Sequence, residues 1–103
     1  MLSVAGLIGT PMRSLYSASK FALDGFGKAI QGELLEKNIS VTQIYPMYVR
    51  TNISKNALVG KGENFGKTDT NIENGLTVEE ACEDMIKAIY LKRFQLIVGS
   101  AFY

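Results

Sequence analysis

Tyr16 and Lys20 lie four residues apart, and Ser3 precedes Tyr16 by thirteen. On a helix, the four-residue step puts a phenol and an ammonium on one face. A free phenol ionises near ~10, too high for a base at neutral pH. An ammonium ~4 Å away favours the phenolate by about 4 kcal/mol at an effective dielectric of ~20, before desolvation is subtracted. A tyrosine so placed can give or take a proton near neutrality. Ser3 can hydrogen-bond the same substrate oxygen from the other side. Together they can move a proton on and off an alcohol oxygen beside a hydride acceptor. A Tyr-x-x-x-Lys match alone is weak, since chance supplies roughly 0.4 of one in a chain of this composition. The plain alternative is a half-buried Tyr and a surface Lys at helical spacing, so context must decide.

The elements around these residues alternate. Met1 to Pro11 is small, apolar and glycine-bearing, and reads as a strand end and loop. A helix is expected from about Met12 to Glu36. Ala18, Ala22, Gly25, Phe26, Ala29 and Glu33 share a face on which another helix could approach closely. Asn38, which tolerates a left-handed cap, ends it. Ile39 to Tyr45 is β-branched and closes at Pro46, a short buried strand. Met47 to Gly75 is polar and glycine-rich, as lids and binding loops are, with a short helix near Thr51 to Leu58 to shorten it. Thr77-Val-Glu-Glu80 is a capping box. The helix it opens aligns Val78, Ala81, Cys82, Met85, Ile86 and Ile89, with Cys82 read as a small core residue. Phe94 to Val98 is a second strand. Alternating strands and helices indicate a parallel α/β sheet. Two short strands need neighbours and cover on both faces. The pattern therefore reads as the second half of a doubly wound domain.

Composition narrows the function. The 103 residues carry a net charge of +1 with acids and bases mixed, so there is no basic stripe for nucleic acid. There is no histidine, which removes histidine-based triads and most zinc sites; no metal site is expected. The single cysteine, Cys82, forbids an internal disulfide and fits a reducing compartment. No apolar run approaches the ~20 residues of a membrane span. A cytoplasmic location is expected, the alternative being association with the endoplasmic-reticulum membrane through a segment outside this sequence. Asn38-Ile-Ser40 and Asn52-Ile-Ser54 are formal glycosylation sequons, expected to be unused.

Ser3-Val-Ala-Gly6, Tyr16-Ser-Ala-Ser-Lys20-Phe-Ala, Asp24-Gly-Phe26, Glu33-Leu34 and Ile39-Ser-Val-Thr resemble the short-chain dehydrogenase/reductase superfamily. Pro46-Met-Tyr-Val-Arg-Thr51 resembles its Pro-Gly-x-Val-x-Thr segment. The Asn52 to Gly75 loop and the capped helix are similar to the group around dehydrogenase/reductase family member seven and the hydroxysteroid dehydrogenases. The resemblance covers nearly the whole chain, as a partial domain over 1–103. It implies a Rossmann-type fold and hydride transfer between NAD(P), with NADP the expected form, and an alcohol or ketone. Tyr16 would be the general acid/base. Lys20 would favour its phenolate and bond the nicotinamide ribose. Ser3 would orient the substrate oxygen, and the Val49 backbone and Thr51 would contact the nicotinamide end. A homodimer through helix 12–36 is the expected association.

Two departures stand out. Met47 occupies a position where the family usually has Gly, which raises the question of crowding at the cofactor. The Thr-Gly-x-x-x-Gly-x-Gly turn and the Asn-Ala-Gly segment, which lie in the family's N-terminal half, do not occur in the sequence. Those glycines let the backbone approach a pyrophosphate at a helix N-terminus. The isolated chain is therefore expected to be inactive, the alternative being a non-catalytic association module. Gly60-Lys-Gly-Glu-Asn-Phe-Gly66 has the wrong spacing for that turn and reads as a lid. Asp24 and Glu33 are expected at the helix surface or an interface.

Overall fold

The computed structural model describes residues 1–52 and 74–99. The short helix near 51–58 and the Gly60–Gly66 lid fall outside or largely outside the described residues. Two strands, β1 (Gln43–Pro46) and β2 (Gln95–Val98), pair in parallel with Gln43 opposite Gln95 and Pro46 opposite Val98. Parallel strands need a long crossover. Here it includes a second helix, Val78–Tyr90, which follows the long helix α1 (Ser14–Leu34) in chain order and is labelled α2. The chain start runs beside the other edge of β1, where the Leu2 N–H donates to the Ile44 carbonyl at 2.7 Å.

Strand alternation sends successive side chains to opposite faces. Ile44 and Val98 form the core with Ala81 of α2, packed around by Val49, Leu76, Met85 and Leu96. Gln43 and Tyr45 point to the other face, where they meet Asp24 of α1. The sheet is thus covered by a helix on each side, an α/β arrangement with a parallel sheet as the sequence pattern indicates. Among the described residues, no helix is long and apolar enough to cross a membrane.

The helix ends follow local chemistry, with some displacement from the expected bounds. Met12 has a φ of 63° and cannot begin a helix. Arg13 becomes the N-cap without a side-chain bond, and α1 starts at Ser14. At the far end α1 tightens into a 3-10 turn, Leu35–Lys37, stopped by left-handed Asn38 as its residue type suggests. The Thr77 box forms fully: the Glu80 N–H donates to Thr77 Oγ1, and the Thr77 N–H donates to the Glu80 carboxylate.

Two packing expectations need correction. Cys82 is exposed rather than in the core, because α2 turns Ala81, Met85 and Ala88 inward. Asp24, expected at the helix surface or an interface, is instead buried within the chain because it faces β1. The small-residue face of α1 (Ala18, Ala22, Gly25, Phe26, Ala29, Glu33) is exposed, and the inward face is Ser17, Asp24 and Gly27.

Candidate active site

Helix α1 carries Tyr16 and Lys20 in its first two turns. The Lys20 ammonium lies over the Tyr16 ring, 5.6 Å from its centroid. That is within cation–π range, where the ring quadrupole attracts the charge. Tyr16 is about half exposed, at 47%. The pair is thus assembled and open to a ligand.

Ser3 caps a short 3-10 turn, Val4–Gly6, its hydroxyl accepting from the Ala5 N–H at 3.2 Å. Gly6 of that turn is buried against the backbone of Lys20, where a Cβ would fall 2.8 Å from the carbonyl oxygen. The Ser3 turn therefore rests on the turn of α1 that bears Lys20. No hydrogen bond joins the Ser3 and Tyr16 hydroxyls. The loop between them folds back over α1, the Thr10 N–H donating to Ser17 Oγ at 3.2 Å.

Val49 and Thr51 follow the carboxyl end of β1. Val49 forms an isolated parallel bridge with Leu76. The bonds come from its neighbours: Leu76 N–H to the Tyr48 carbonyl at 3.1 Å, and Arg50 N–H to the Leu76 carbonyl at 2.8 Å. In a parallel bridge that leaves Val49's own N–H and C=O pointing away from Leu76. The side chain of Met47 lies against Gly99, whose φ is +132°. A Cβ on Gly99 would come within 2.8 Å of Met47 Cβ, so a glycine at this strand end gives the methionine its room.

Sequence reasoning missed a polar cluster one turn beyond Lys20. The Tyr45 hydroxyl donates to Asp24 Oδ1 at 2.5 Å, and the Gln43 amide donates to Tyr45 Oη at 2.7 Å and to Asp24 Oδ1 at 3.3 Å. Lys28 pairs with Asp24 Oδ2 at 2.8 Å. Tyr45 is fully buried and Asp24 is 9% exposed. Hydrogen bonding to Lys28, then to Tyr45, holds the Asp24 carboxyl below the usual carboxylate range. Burial, then the Asp24 hydrogen bond, pushes the Tyr45 phenol up to about 12. Gln43 Oε1 has no hydrogen-bond partner and sits against Gly27, where any side chain would displace it. The signal in the sequence was the pairing of Gln43 and Tyr45 at alternate positions of an otherwise apolar strand.

Helix α1, which carries Tyr16 and Lys20, packs on a parallel sheet in an α/β arrangement. The sequence model described as short chain dehydrogenase matches residues 1–61. The chain belongs to the short-chain dehydrogenase family. It is 41% identical over 97 residues to dehydrogenase/reductase SDR family member 7B of Xenopus tropicalis, covering 94% of this chain and 31% of that protein. It is 38% identical over 97 residues to a Drosophila melanogaster dehydrogenase/reductase SDR family protein 7-like, covering 94% and 30%. The mouse member 7B is 38% identical over 96 residues, covering 93% and 30%. The chain thus spans about a third of the length of these relatives.

Proposed function

We propose that these residues form the proton-handling part of an oxidoreductase that moves a hydride between NAD(P) and an alcohol or carbonyl carbon. The observation that carries the reading is the Lys20 ammonium seated over the exposed Tyr16 ring. Tyr16 gives its phenolic proton to a carbonyl oxygen in reduction, or takes the hydroxyl proton in oxidation. Lys20 stabilises the phenolate left behind. Ser3 orients the substrate oxygen.

The donor set fits a nicotinamide cofactor. An ammonium can bond a ribose hydroxyl, and the outward N–H and C=O of Val49 match the donor and acceptor of a carboxamide. Thr51, two residues on in the sequence, would contact the nicotinamide end as the resemblance implies. The Met47 side chain is lodged against Gly99. When bound, the cofactor supplies the hydride chemistry, and the chain supplies placement and charge. NADP is the form favoured by the resemblance.

The test is a chimera in which residues 1–103 replace the matching stretch of the Xenopus tropicalis relative. Tyr16→Phe should lower turnover by ~10²-fold or more while leaving cofactor affinity nearly unchanged. Retained turnover would refute the role given to Tyr16. The 103-residue chain alone is expected not to bind NAD(P)H, and saturable micromolar binding in a fluorescence titration would overturn that.

A second reading rests on the exposed small-residue face of α1. Ala18, Ala22, Gly25 and Ala29 let a second backbone approach, with Phe26, 63% exposed, beside them. The chain would then form a homodimer through this helix. Sedimentation should show a dimer that Ala22→Glu dissociates; a monomer at all concentrations counts against it.

A further inference from the structure

The cluster of Asp24, Tyr45 and Gln43 lies outside the proposed proton path, yet joins the elements that carry it. Asp24 follows Lys20 by one helical turn, and Tyr45 immediately precedes the Pro46–Thr51 segment. We propose that Asp24 is a positioning residue: its buried carboxylate, gripped by the Tyr45 hydroxyl and the Gln43 amide, fixes α1 on β1 so that the helical turn bearing Lys20 stays seated against the turn bearing Ser3. Its catalytic meaning rests on the function proposed above; its structural meaning does not.

The argument is one of direction. Apolar attraction is non-directional and lets packed elements slide. Hydrogen bonds weaken steeply when misaligned. The buried residues of α1 are Ser17, Asp24 and Gly27, and its large apolar side chains towards this face, Ile30 and Leu34, are only part-buried, so apolar packing holds its register weakly. Asp24 takes two bonds from the strand on one oxygen and a third, from Lys28 of its own helix, on the other. The Lys28 bond is intrahelical and exposed at its ammonium end, so it steadies the carboxylate without tying α1 to the sheet. Because a helix is stiff, a shift at Asp24 is carried to Lys20 and Tyr16. A misplacement of ~1 Å at reacting groups can cost ~10²-fold in rate.

The test uses nuclear magnetic resonance on the full chain. The Lys20 backbone packed against Gly6 should shift the Gly6 Hα resonances, and that shift reports the seat of α1 against the chain start that pairs with β1. Tyr45→Phe and Asp24→Leu should lose most of that shift. Asp24→Asn keeps an acceptor for the Tyr45 hydroxyl and should retain it. Val98→Ala, which weakens the opposite face, should lower stability and leave the shift in place. Full retention in Tyr45→Phe overturns the proposal, and so does equal loss in Val98→Ala. If Asp24→Leu does not fold, the contrast between Tyr45→Phe and Asp24→Asn decides. In the chimera, Tyr45→Phe should lower kcat by ~10-fold or more with KM within about twofold, and Asp24→Asn should stay near wild type. Should Tyr16→Phe retain turnover, the proposed function fails, and the resonance shift still decides the role of Asp24.

Discussion

Helices α1 and α2 cover opposite faces of the same two strands by different means. Helix α2 lays Ala81 on Ile44 and Val98, with Met85 and Leu96 packed around them, an apolar contact. Helix α1 meets the sheet through Asp24, Gly27 and Gln31 against Gln43, Tyr45 and the carbonyls at the strand starts. Burial of area stabilises the first contact, and alignment of donors and acceptors stabilises the second. The helix bearing Tyr16 and Lys20 is the one held by directional bonds. A face that must place two side chains gains from being intolerant of sliding; a face that only closes a core does not.

The comparison can be broken at several points. Ile44→Ala should have the largest effect, about 3 kcal/mol, because it opens a cavity under α2; urea unfolding followed by circular dichroism measures it. Tyr45→Phe should cost less, about 1.5 kcal/mol, since it removes one buried bond and keeps the ring. If the two losses were equal, the α1 face would owe more to hydrogen bonding than its geometry suggests. Thr77→Ala should cost about 1 kcal/mol by removing the α2 cap. It should leave α1 amide exchange unchanged, which hydrogen exchange would show.

The polar face should also be the pH-sensitive one. The Asp24 carboxyl lies below its ordinary 3.8 in the folded chain. Its contribution is therefore present above pH 3.8 and lost as pH falls through the lower folded value. Asp24→Asn should flatten the fall of the urea midpoint in that acid range. Tyr45 lies above its ordinary 10.0, at about 12. Its contribution is present below pH 10 and lost as pH rises towards about 12, and Tyr45→Phe should remove that alkaline loss. Smallest of all, Phe26→Ala on the exposed face should change the midpoint by less than about 0.5 kcal/mol.

Much of this was legible in the residues. The Thr77 box, the Asn38 stop, the second strand and the parallel order follow from local chemistry and periodicity, while the first strand, expected from Ile39 to Tyr45, runs from Gln43 to Pro46. Tyr16 and Lys20 meet because a four-residue helical step leaves them little choice. The start of α1 was displaced because Met12 adopts a left-handed backbone, which its residue type does not announce. Asp24 was expected at the helix surface or an interface because charge usually goes there. Its burial depends on two strand residues nineteen and twenty-one positions later, a pairing that helical periodicity cannot reveal. Cys82 was placed inside because it shares the apolar stripe of α2, of which the fold turns Ala81 and Met85 inward and leaves Cys82, Ile86 and Ile89 exposed.

Gln31 carries a consequence of another kind. Its amide donates to the Val41 carbonyl at 3.0 Å and to the Phe94 carbonyl at 2.7 Å, the latter 63 residues away. Phe94 also accepts from the Gln43 N–H, so one carbonyl gathers α1 and both strands. A contact of that sequence span closes a long loop, and the entropy of closing it disfavours early formation. Gln31→Ala should accordingly leave the refolding rate nearly unchanged and quicken unfolding. The last turns of the helix that bears Tyr16 and Lys20 thus act as a latch on the lifetime of the folded state, set only when β2 arrives.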